Sequence, residues 1–174
     1  MQQKVTSTIA KGFVIGLVMI VITLGMTFSG MAVNSPLKWL SYIIFIIGVI
    51  IAINQYGKQI NYNSTFGNYF AHGFKISALV TIIMIVYSVI FITAFPEFKE
   101  QALDAARKQM QSNKNISEEN MEKGIEMTKR FFIVGMIGGI LLFYLITGAI
   151  ASLIGASITK KDPRPFEDLN QIES

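Results

Sequence analysis

Four long stretches without a charged residue constrain what this chain can fold into. They run over residues 12–35, 39–57, 76–96 and 131–159. At about 1.5 Å of rise per helical residue, each stretch is long enough to cross the roughly 30 Å hydrocarbon core of a bilayer. We therefore predict an all-α, polytopic membrane protein whose four transmembrane helices belong to a single membrane domain.

The composition agrees with this prediction. Of the 174 residues, 52% are hydrophobic and only 15% are charged, which lies outside the balance of a soluble domain. The net charge is +4, but no Lys/Arg cluster is interleaved with exposed aromatics, so we expect no nucleic-acid partner. The chain has no cysteine, which excludes disulfides, thiolate metal sites and cysteine nucleophiles.

Two of the four stretches leave an alternative open. The first follows Lys4 and Lys11 as the core of a signal peptide would, but it is too long for one, so we expect it to be retained. Cleavage near residues 29–32 is the alternative. In the second stretch only residues 40–53 are strictly apolar, and a buried or re-entrant segment is the alternative there.

Aromatic residues at the start of the second stretch and before the third are predicted to sit at the membrane surface. Tyrosine and tryptophan are enriched at both membrane interfaces, because one end of each side chain is apolar and the other polar. Several aromatics of segment 66–74 would share one helical face in the headgroup region. His72, the only histidine, is expected beside Lys75 as a surface residue that helps to end the third helix. The predicted interfacial anchors are Trp39, Tyr42, Phe66, Tyr69 and Phe70.

The basic residues that flank the stretches predict the orientation. Positive residues concentrate in short cytoplasmic loops, and here three flanks carry them. The opposite side has Lys38 in a tight turn at residues 34–36 and a long connection with balanced charges. We therefore predict that both termini are cytoplasmic and that the lipid bilayer surrounds the protein. The positive flanks contain Lys4, Lys11, Lys58, Lys75, Lys160, Lys161 and Arg164.

The long connection at residues 97–130 is predicted to be an extracytoplasmic helical hairpin. Pro96 suits a first helical turn, and Ser117 can cap a second helix. Apolar residues recur at helical spacing in both halves, so the two helices would cover each other's narrow apolar stripe. The cytoplasmic tail, residues 160–174, is predicted to be disordered. The stripes consist of Phe98, Ala102, Ala106 and Met110, then Met121, Ile125, Thr128 and Phe132.

Small residues recur at spacings of three or four within the first and fourth stretches. Such spacing lets two membrane helices approach closely. We expect contacts within one chain, because a four-helix bundle needs them, but contacts between chains remain open. The predicted helix-packing residues are Gly12, Gly16, Gly135, Gly139, Gly148, Ser152 and Gly155.

No constellation in the sequence predicts catalysis, a cofactor or a metal. The glutamates of residues 118–126 imitate a carboxylate cluster, but basic residues stand close by and a solvated helix is the expected structure. The glycines match neither a phosphate-binding loop nor a dinucleotide fingerprint. The stretches also lack the deep ionisable group that proton-coupled transport normally uses. We therefore predict no enzyme, with no catalytic residue, cofactor or metal site. The glutamates are Glu118, Glu119, Glu122 and Glu126.

The order of features resembles a known family. Thr65-Phe66-Gly67 precedes the third stretch, Ile116-Ser117-Glu118-Glu119 lies in the helical insertion, and residues 153–161 read LIGASITKK at the close. Together with the four spans, this series is similar to the bacterial membrane family called domain of unknown function 4199, from the first helix to about Pro165. The resemblance implies a bacterial inner-membrane location. It supplies no catalytic or binding residues.

The leading functional hypothesis is a non-enzymatic protein that works by binding another membrane protein or a second copy of itself. Its expected contact surfaces surround Gly135, Gly139 and Gly148 and include the hairpin. A membrane-embedded enzyme is least favoured, because the obvious acid and base groups lie outside the bilayer. The rival is a small transporter, channel or lipid-handling protein whose aromatic segment 66–74 contacts headgroups. Its polar crevice would contain Thr23, Thr27, Ser88, Thr93 and Tyr144.

Overall fold

The computed structural model describes residues 6–30, 39–112 and 117–161, which form six helices and no β-strand. Four of these helices are long and apolar enough to cross a membrane, and the other two form the hairpin between the third and fourth spans. The predicted all-α class with four spans is therefore confirmed. The helices are α1 (Thr8–Phe28), α2 (Leu40–Gln59), α3 (Phe66–Ala94), α4 (Pro96–Gln111), α5 (Glu118–Arg130) and α6 (Phe132–Ile158).

The helix α3 begins at Phe66, well before the predicted start of the third span at residue 76. The side-chain oxygen of Thr65 accepts a hydrogen bond from the backbone N–H of Asn68 at 3.4 Å, which starts the helix there. His72 consequently lies inside α3 and is buried. The prediction that His72 ends this helix at the membrane surface was wrong, because the aromatic segment 66–74 is helical and continuous with the span.

Local capping sets the other helix starts. Ser7 caps α1 by accepting from the N–H of Ala10 at 3.1 Å, so Lys11 lies one turn inside this helix. Pro96 stands in the first turn of α4, and Ser117 caps α5 by accepting from the N–H of Asn120, both as the sequence predicts. Several predicted features lie outside the described residues, namely the end of the first span at 31–35, the turn at 34–36, the tail from 162 onward, and Lys4, Lys38, Ile116 and Arg164.

The chain forms two compact units. Unit 1 comprises residues 1–84 and 143–174, and unit 2 comprises residues 85–142. Unit 1 contains α1, α2, the first part of α3 and the last part of α6. Unit 2 contains the remainder of α3 and α6 together with the hairpin helices α4 and α5. The single membrane domain stays a prediction.

In unit 1, α2 and α3 contact each other, and each also contacts α1 and α6. Ile53 of α2 lies against Gly73 of α3, for example, and Ile15 of α1 lies against Gly48 of α2. The ring of Phe45 meets that of Tyr144 edge to face, with centroids 5.1 Å apart. The largest fully buried side chains are Met19, Phe45, Val49, Ile53, Tyr69, Ile76 and Val80.

In unit 2, α4 and α5 pack against each other through a small apolar core. Leu103 and Ile125 are its buried hydrophobic residues, and Met110 lies against Gly124. The predicted stripe of α4 included Ala102, but Ala102 is exposed and Leu103 takes the inward position. Spacing alone did not separate these neighbours, because both are apolar and only the position of α5 decides which one is covered.

Candidate functional site

Glycines and one serine of the predicted packing set lie where helices of unit 1 approach most closely. A Cβ atom built on Gly148 would overlap Ser77 of α3, and one on Gly155 would lie 2.6 Å from Ile53 Cδ1 of α2. Ser152 is fully buried, with its Oγ 2.7 Å from the Cβ position of Gly73. These positions therefore need small residues. Gly12 and Gly16 of α1 likewise lie against Leu79 and Ile83 of α3.

Gly135 and Gly139 behave differently. Both are exposed on the part of α6 that belongs to unit 2, and a Cβ at either position would meet no atom of that unit within 4 Å. The same holds for Gly138 between them. Exposed Phe131 and Leu142 flank them at helical spacing. The described part of unit 2 thus leaves a shallow, apolar glycine face on α6, and packing at Gly135 and Gly139 stays a prediction.

Four buried hydroxyls of unit 1 are satisfied within their own helices, whereas the buried hydroxyl of Tyr69 has no hydrogen-bond partner among the described residues. Ser77 donates to the carbonyl of Gly73 at 3.0 Å, and Thr81 donates to that of Ser77 at 2.8 Å. Ser152 and Thr159 of α6 do the same with carbonyls four residues earlier. This back-bonding is the usual state of such hydroxyls in membrane helices. Each of these four hydroxyls therefore already donates its hydrogen within its helix and is not free to donate it to a solute.

Three of the hydroxyl residues assigned to the rival transport hypothesis make local contacts. Thr27 donates to the carbonyl of Thr23, and exposed Thr93 donates to that of Val89. Tyr144 is buried against the rings of Phe45 and Tyr42, with centroids 5.1 and 6.1 Å away. These contacts are helix back-bonding and aromatic packing, so they do not support a polar passage along these residues.

The predicted interfacial anchors divide into exposed and buried residues. Trp39 is 54% exposed, and its ring lies 5.8 Å from that of Tyr42. Phe66 is 40% exposed, and the ammonium of Lys161 lies 5.4 Å from its ring centroid. Tyr69, by contrast, is fully buried, because its face of α3 turns toward α2 rather than toward the headgroups. Phe70 is half-buried and stacks on Phe74 at 5.9 Å.

The glutamates of α5 are exposed, as expected for a solvated charged helix. Glu119 forms an ion pair with Lys123 one turn later, with Oε1 and Nζ 2.6 Å apart. This pair is an exposed i,i+4 contact, which contributes little to stability. Within the described ranges, no group of three or more histidine, aspartate or glutamate side chains is placed to hold a metal ion.

A polar cluster at one end of unit 1 is the least expected feature of the structure. Lys11 of α1 is 7% exposed, and its ammonium donates to the carbonyl oxygen of Ala52 at 3.3 Å and to Oε1 of Gln59 at 3.5 Å. The same ammonium lies 5.7 Å from the ring centroid of Tyr56. Gln59 continues the network by donating to Thr6 Oγ1 at 3.1 Å. The cluster ties the start of α1 to the end of α2.

His72 joins the start of α3 to this cluster. Its ring stacks on Tyr56, with centroids 4.0 Å apart and an interplanar angle of 10°. Its Nδ1 lies 3.3 Å from Thr8 Oγ1 of α1. The other nitrogen, Nε2, is buried and has no hydrogen-bond partner among the described residues. A buried polar atom without a partner is costly, so this nitrogen requires an explanation.

A cleft of about 290 Å³ opens beside His72. It is lined by residues from the first turns of α1 and α3 and by Tyr56 of α2. A second cleft of similar volume, on the other side of Thr6, is lined mainly by apolar residues and reaches Lys11. Polar groups that line the first cleft include Ser7, Thr8, Tyr56, Asn68, His72 and Lys75.

Among the described residues, every charged side chain at the end of unit 1 that contains the polar cluster is positive. The described residues of unit 1 contain no aspartate and no glutamate. They contain five lysines, all close to the helix ends that meet here. Two contacts show that these helix ends lie close together. The backbone N–H of Thr6 donates to Oε1 of Gln59, and Thr159 after α6 lies against Gly57 of α2. The lysines are Lys11, Lys58, Lys75, Lys160 and Lys161.

This cluster was not predicted from the sequence, in which Lys11 was interpreted only as an orientation signal and His72 only as a surface residue. The residues come from three helices, and Thr8 and His72 are 64 positions apart. The sequence did contain a signal that could have predicted the cluster. Its only histidine and two of its lysines lie within a turn or two of helix ends, and the topology brings these helix ends to one side.

Comparison with family models gives one match. The model described as "Protein of unknown function (DUF4199)" matches residues 11–161, which includes all of α2 to α6 and most of α1. Comparison with curated proteins and with solved structures found no similar chain. The match covers most of the 174 residues and agrees with the resemblance read from the motif order. This chain therefore belongs to the DUF4199 family of proteins of unknown function.

Proposed function

We propose that this chain is a non-enzymatic bacterial inner-membrane protein that works by binding a membrane-spanning helix of another protein or of a second copy of itself. It would thus be an accessory or scaffold subunit, or a small homo-oligomer. One observation carries the proposal. The predicted packing glycines of unit 1, Gly12, Gly16, Gly148 and Gly155, each have a close neighbour where helices pack, whereas Gly135, Gly138 and Gly139 have none within their own unit.

The glycine face of α6, defined by Gly135, Gly138 and Gly139, has the form that membrane helices use for association. Helix association in lipid depends on close packing, because lipid tails are as apolar as the side chains, and small residues permit that packing. Phe131 and Leu142 stand at the two ends of the face and are exposed. A partner helix that lies between them would contact the α6 backbone closely. Lipid chains would pack less closely against the same surface.

We expect Gly139→Leu to reduce capture of the partner about tenfold, because the added side chain holds the partner helix away from the α6 backbone. The measurement is a native pull-down of the tagged protein from bacterial membranes in mild detergent, with mass spectrometry of the captured proteins. Two differently tagged copies report self-association in the same experiment.

The matched control is Gly25→Leu, since Gly25 is also exposed and open but has no other glycine three or four residues away. We expect this control to capture as much partner as the original protein, with both variants folded. Equal capture by Gly139→Leu and the original protein would contradict the proposal, as would a failure of the original protein to capture anything stoichiometrically.

We also propose that both termini are cytoplasmic and that the hairpin is extracytoplasmic. The support is the lysine-rich end of unit 1, because positive residues near helix ends concentrate on the cytoplasmic side. The chain has no cysteine, so a single introduced cysteine reports its own location without background. Ser112 at the end of α4 and Lys160 after α6 are both exposed and suit this test.

We expect a membrane-impermeant maleimide to label Ser112→Cys on intact cells and Lys160→Cys only after the membrane is opened. The physical reason is that the reagent cannot cross the bilayer. Labelling is read as a mass shift of the purified protein, with opened cells as the control for thiol reactivity. The reverse pattern would overturn the orientation.

A further inference from the structure

The cleft beside His72 has the features of an anion site. It lies next to the start of α1, where the first backbone N–H groups and the helix dipole favour negative charge. Ser7, Thr8 and Asn68 add hydroxyl and amide groups to its wall. A helix start alone is a weak indication of a ligand, so the case depends on the side chains that join it.

His72 supplies the decisive observation. The residue is only 8% exposed, it lines the cleft, and its Nε2 has no partner within the described part of the chain. When the Thr8 hydroxyl donates to Nδ1, the neutral ring carries its proton on Nε2, which is then a donor without an acceptor. Stacking on Tyr56 holds the ring in this orientation. A ligand oxygen would satisfy the buried donor.

The surrounding charges select the sign of the ligand. Lys75 lines the same cleft, and the ammonium of Lys11 lies 5.7 Å from the ring centroid of Tyr56. No carboxylate from the described residues of unit 1 competes for these cations. A ligand that accepts from an imidazole N–H, an ammonium and hydroxyl groups at once needs several oxygens that diverge from one centre. A phosphate group has that arrangement.

We propose that this cleft, bounded by Thr8, His72 and Lys75, binds a phosphate group. The inference goes beyond the proposed function, because the cleft is in unit 1 and the glycine face of α6 is in unit 2. With about 290 Å³, the cleft is at the small end of ligand sites, which suits a headgroup or a small phosphate compound. A phospholipid and a soluble phosphate share this chemistry, and the experiment separates them.

The test uses the full-length protein in mild detergent and two probes. Short-chain phosphatidylglycerol is titrated and counted by native mass spectrometry, and inorganic phosphate is titrated by calorimetry. We expect Lys75→Gln to weaken binding about tenfold, because it removes the cation from the cleft. The matched control is Lys58→Gln, which removes a lysine that is also exposed, at the same end but outside the cleft, and it should change affinity less than about twofold.

Two further variants test the histidine. Thr8→Val removes the hydroxyl that orients the ring, and His72→Phe keeps the stack on Tyr56 but removes both nitrogens. We expect each to weaken binding about tenfold. If His72→Phe does not fold, Thr8→Val and Lys75→Gln still test the site.

The two probes identify the source of the phosphate. Lipid binding that persists in excess inorganic phosphate, with no binding of phosphate alone, supports a headgroup site. Displacement of the lipid by inorganic phosphate, with the same sensitivity to Lys75→Gln, supports a site for soluble phosphate. Binding that is equal in Lys75→Gln and Lys58→Gln, or no binding of either probe, overturns the proposal.

Discussion

Gly148→Ala is expected to destabilise the protein by about 3 kcal/mol, the upper range for overpacking a tight core. The new methyl would overlap Cβ and Oγ of Ser77. That Cβ is bonded directly to the α3 backbone, so the clash cannot be relieved by a side-chain rotation and the helices must separate. Phe45 lies 3.5 Å from the same position and closes the other side. The measurement is the unfolding transition of the detergent-solubilised protein, followed by circular dichroism.

Two variants make this result specific. Gly139→Ala adds the same methyl to the same helix where no atom of unit 2 lies within 4 Å, and we expect a change below about 0.5 kcal/mol. The double variant Gly148→Ala, Ser77→Gly removes the hydroxymethyl group of Ser77 that the new methyl would overlap, and it should recover most of the loss. Equal unfolding midpoints for Gly148→Ala and Gly139→Ala would contradict the close contact between α3 and α6.

Leu103→Asp is expected to melt the hairpin of α4 and α5 while leaving unit 1 folded. Leu103 and Ile125 are the only buried hydrophobic residues of the described hairpin, so a carboxylate at position 103 removes about half of the core and must be hydrated. Burying an unpaired charge costs several kcal/mol, more than such a small core provides. The measurement is amide hydrogen exchange, which should become fast throughout α4 and α5.

The control for this prediction is Ala102→Asp. It places the same carboxylate one position earlier, on the exposed side of α4. We expect hairpin exchange to stay slow in this variant. If both variants exchange equally fast, the inward position of Leu103 is wrong, and if neither changes, the hairpin does not depend on this core.

Much of the fold follows from local features of the sequence. Hydropathy predicts the four spans, because an uncharged stretch of this length is stable across a bilayer only as a helix. Ser117 and Pro96 predict the starts of the hairpin helices, because a cap satisfies N–H groups a few residues away. The motif order predicts the family, which the family model confirms. The spans and the helix starts each depend on residues that are neighbours along the chain.

Less of the candidate site than of the fold could be predicted from the sequence. Small-residue spacing identified Gly148 and Gly139 alike, although one lies against Ser77 and the other is open within its unit. Local periodicity shows that a helix face consists of small residues, but it does not show whether another helix packs against that face. In the same way, the spacing in α4 predicted an inward position for Ala102, whereas the packing of α5 covers Leu103.

The number of spans, the hairpin between the last two and the lysine-rich flanks follow from the sequence alone, because hydropathy, capping and charge are properties of single segments. The folded chain was needed to show that Thr8, Tyr56 and His72 meet, and that Lys11 reaches the carbonyl of Ala52. These contacts join three helices across tens of residues, so no periodicity within one helix encodes them. The packed glycines determine which helix ends lie close together, and the contacts depend on that arrangement.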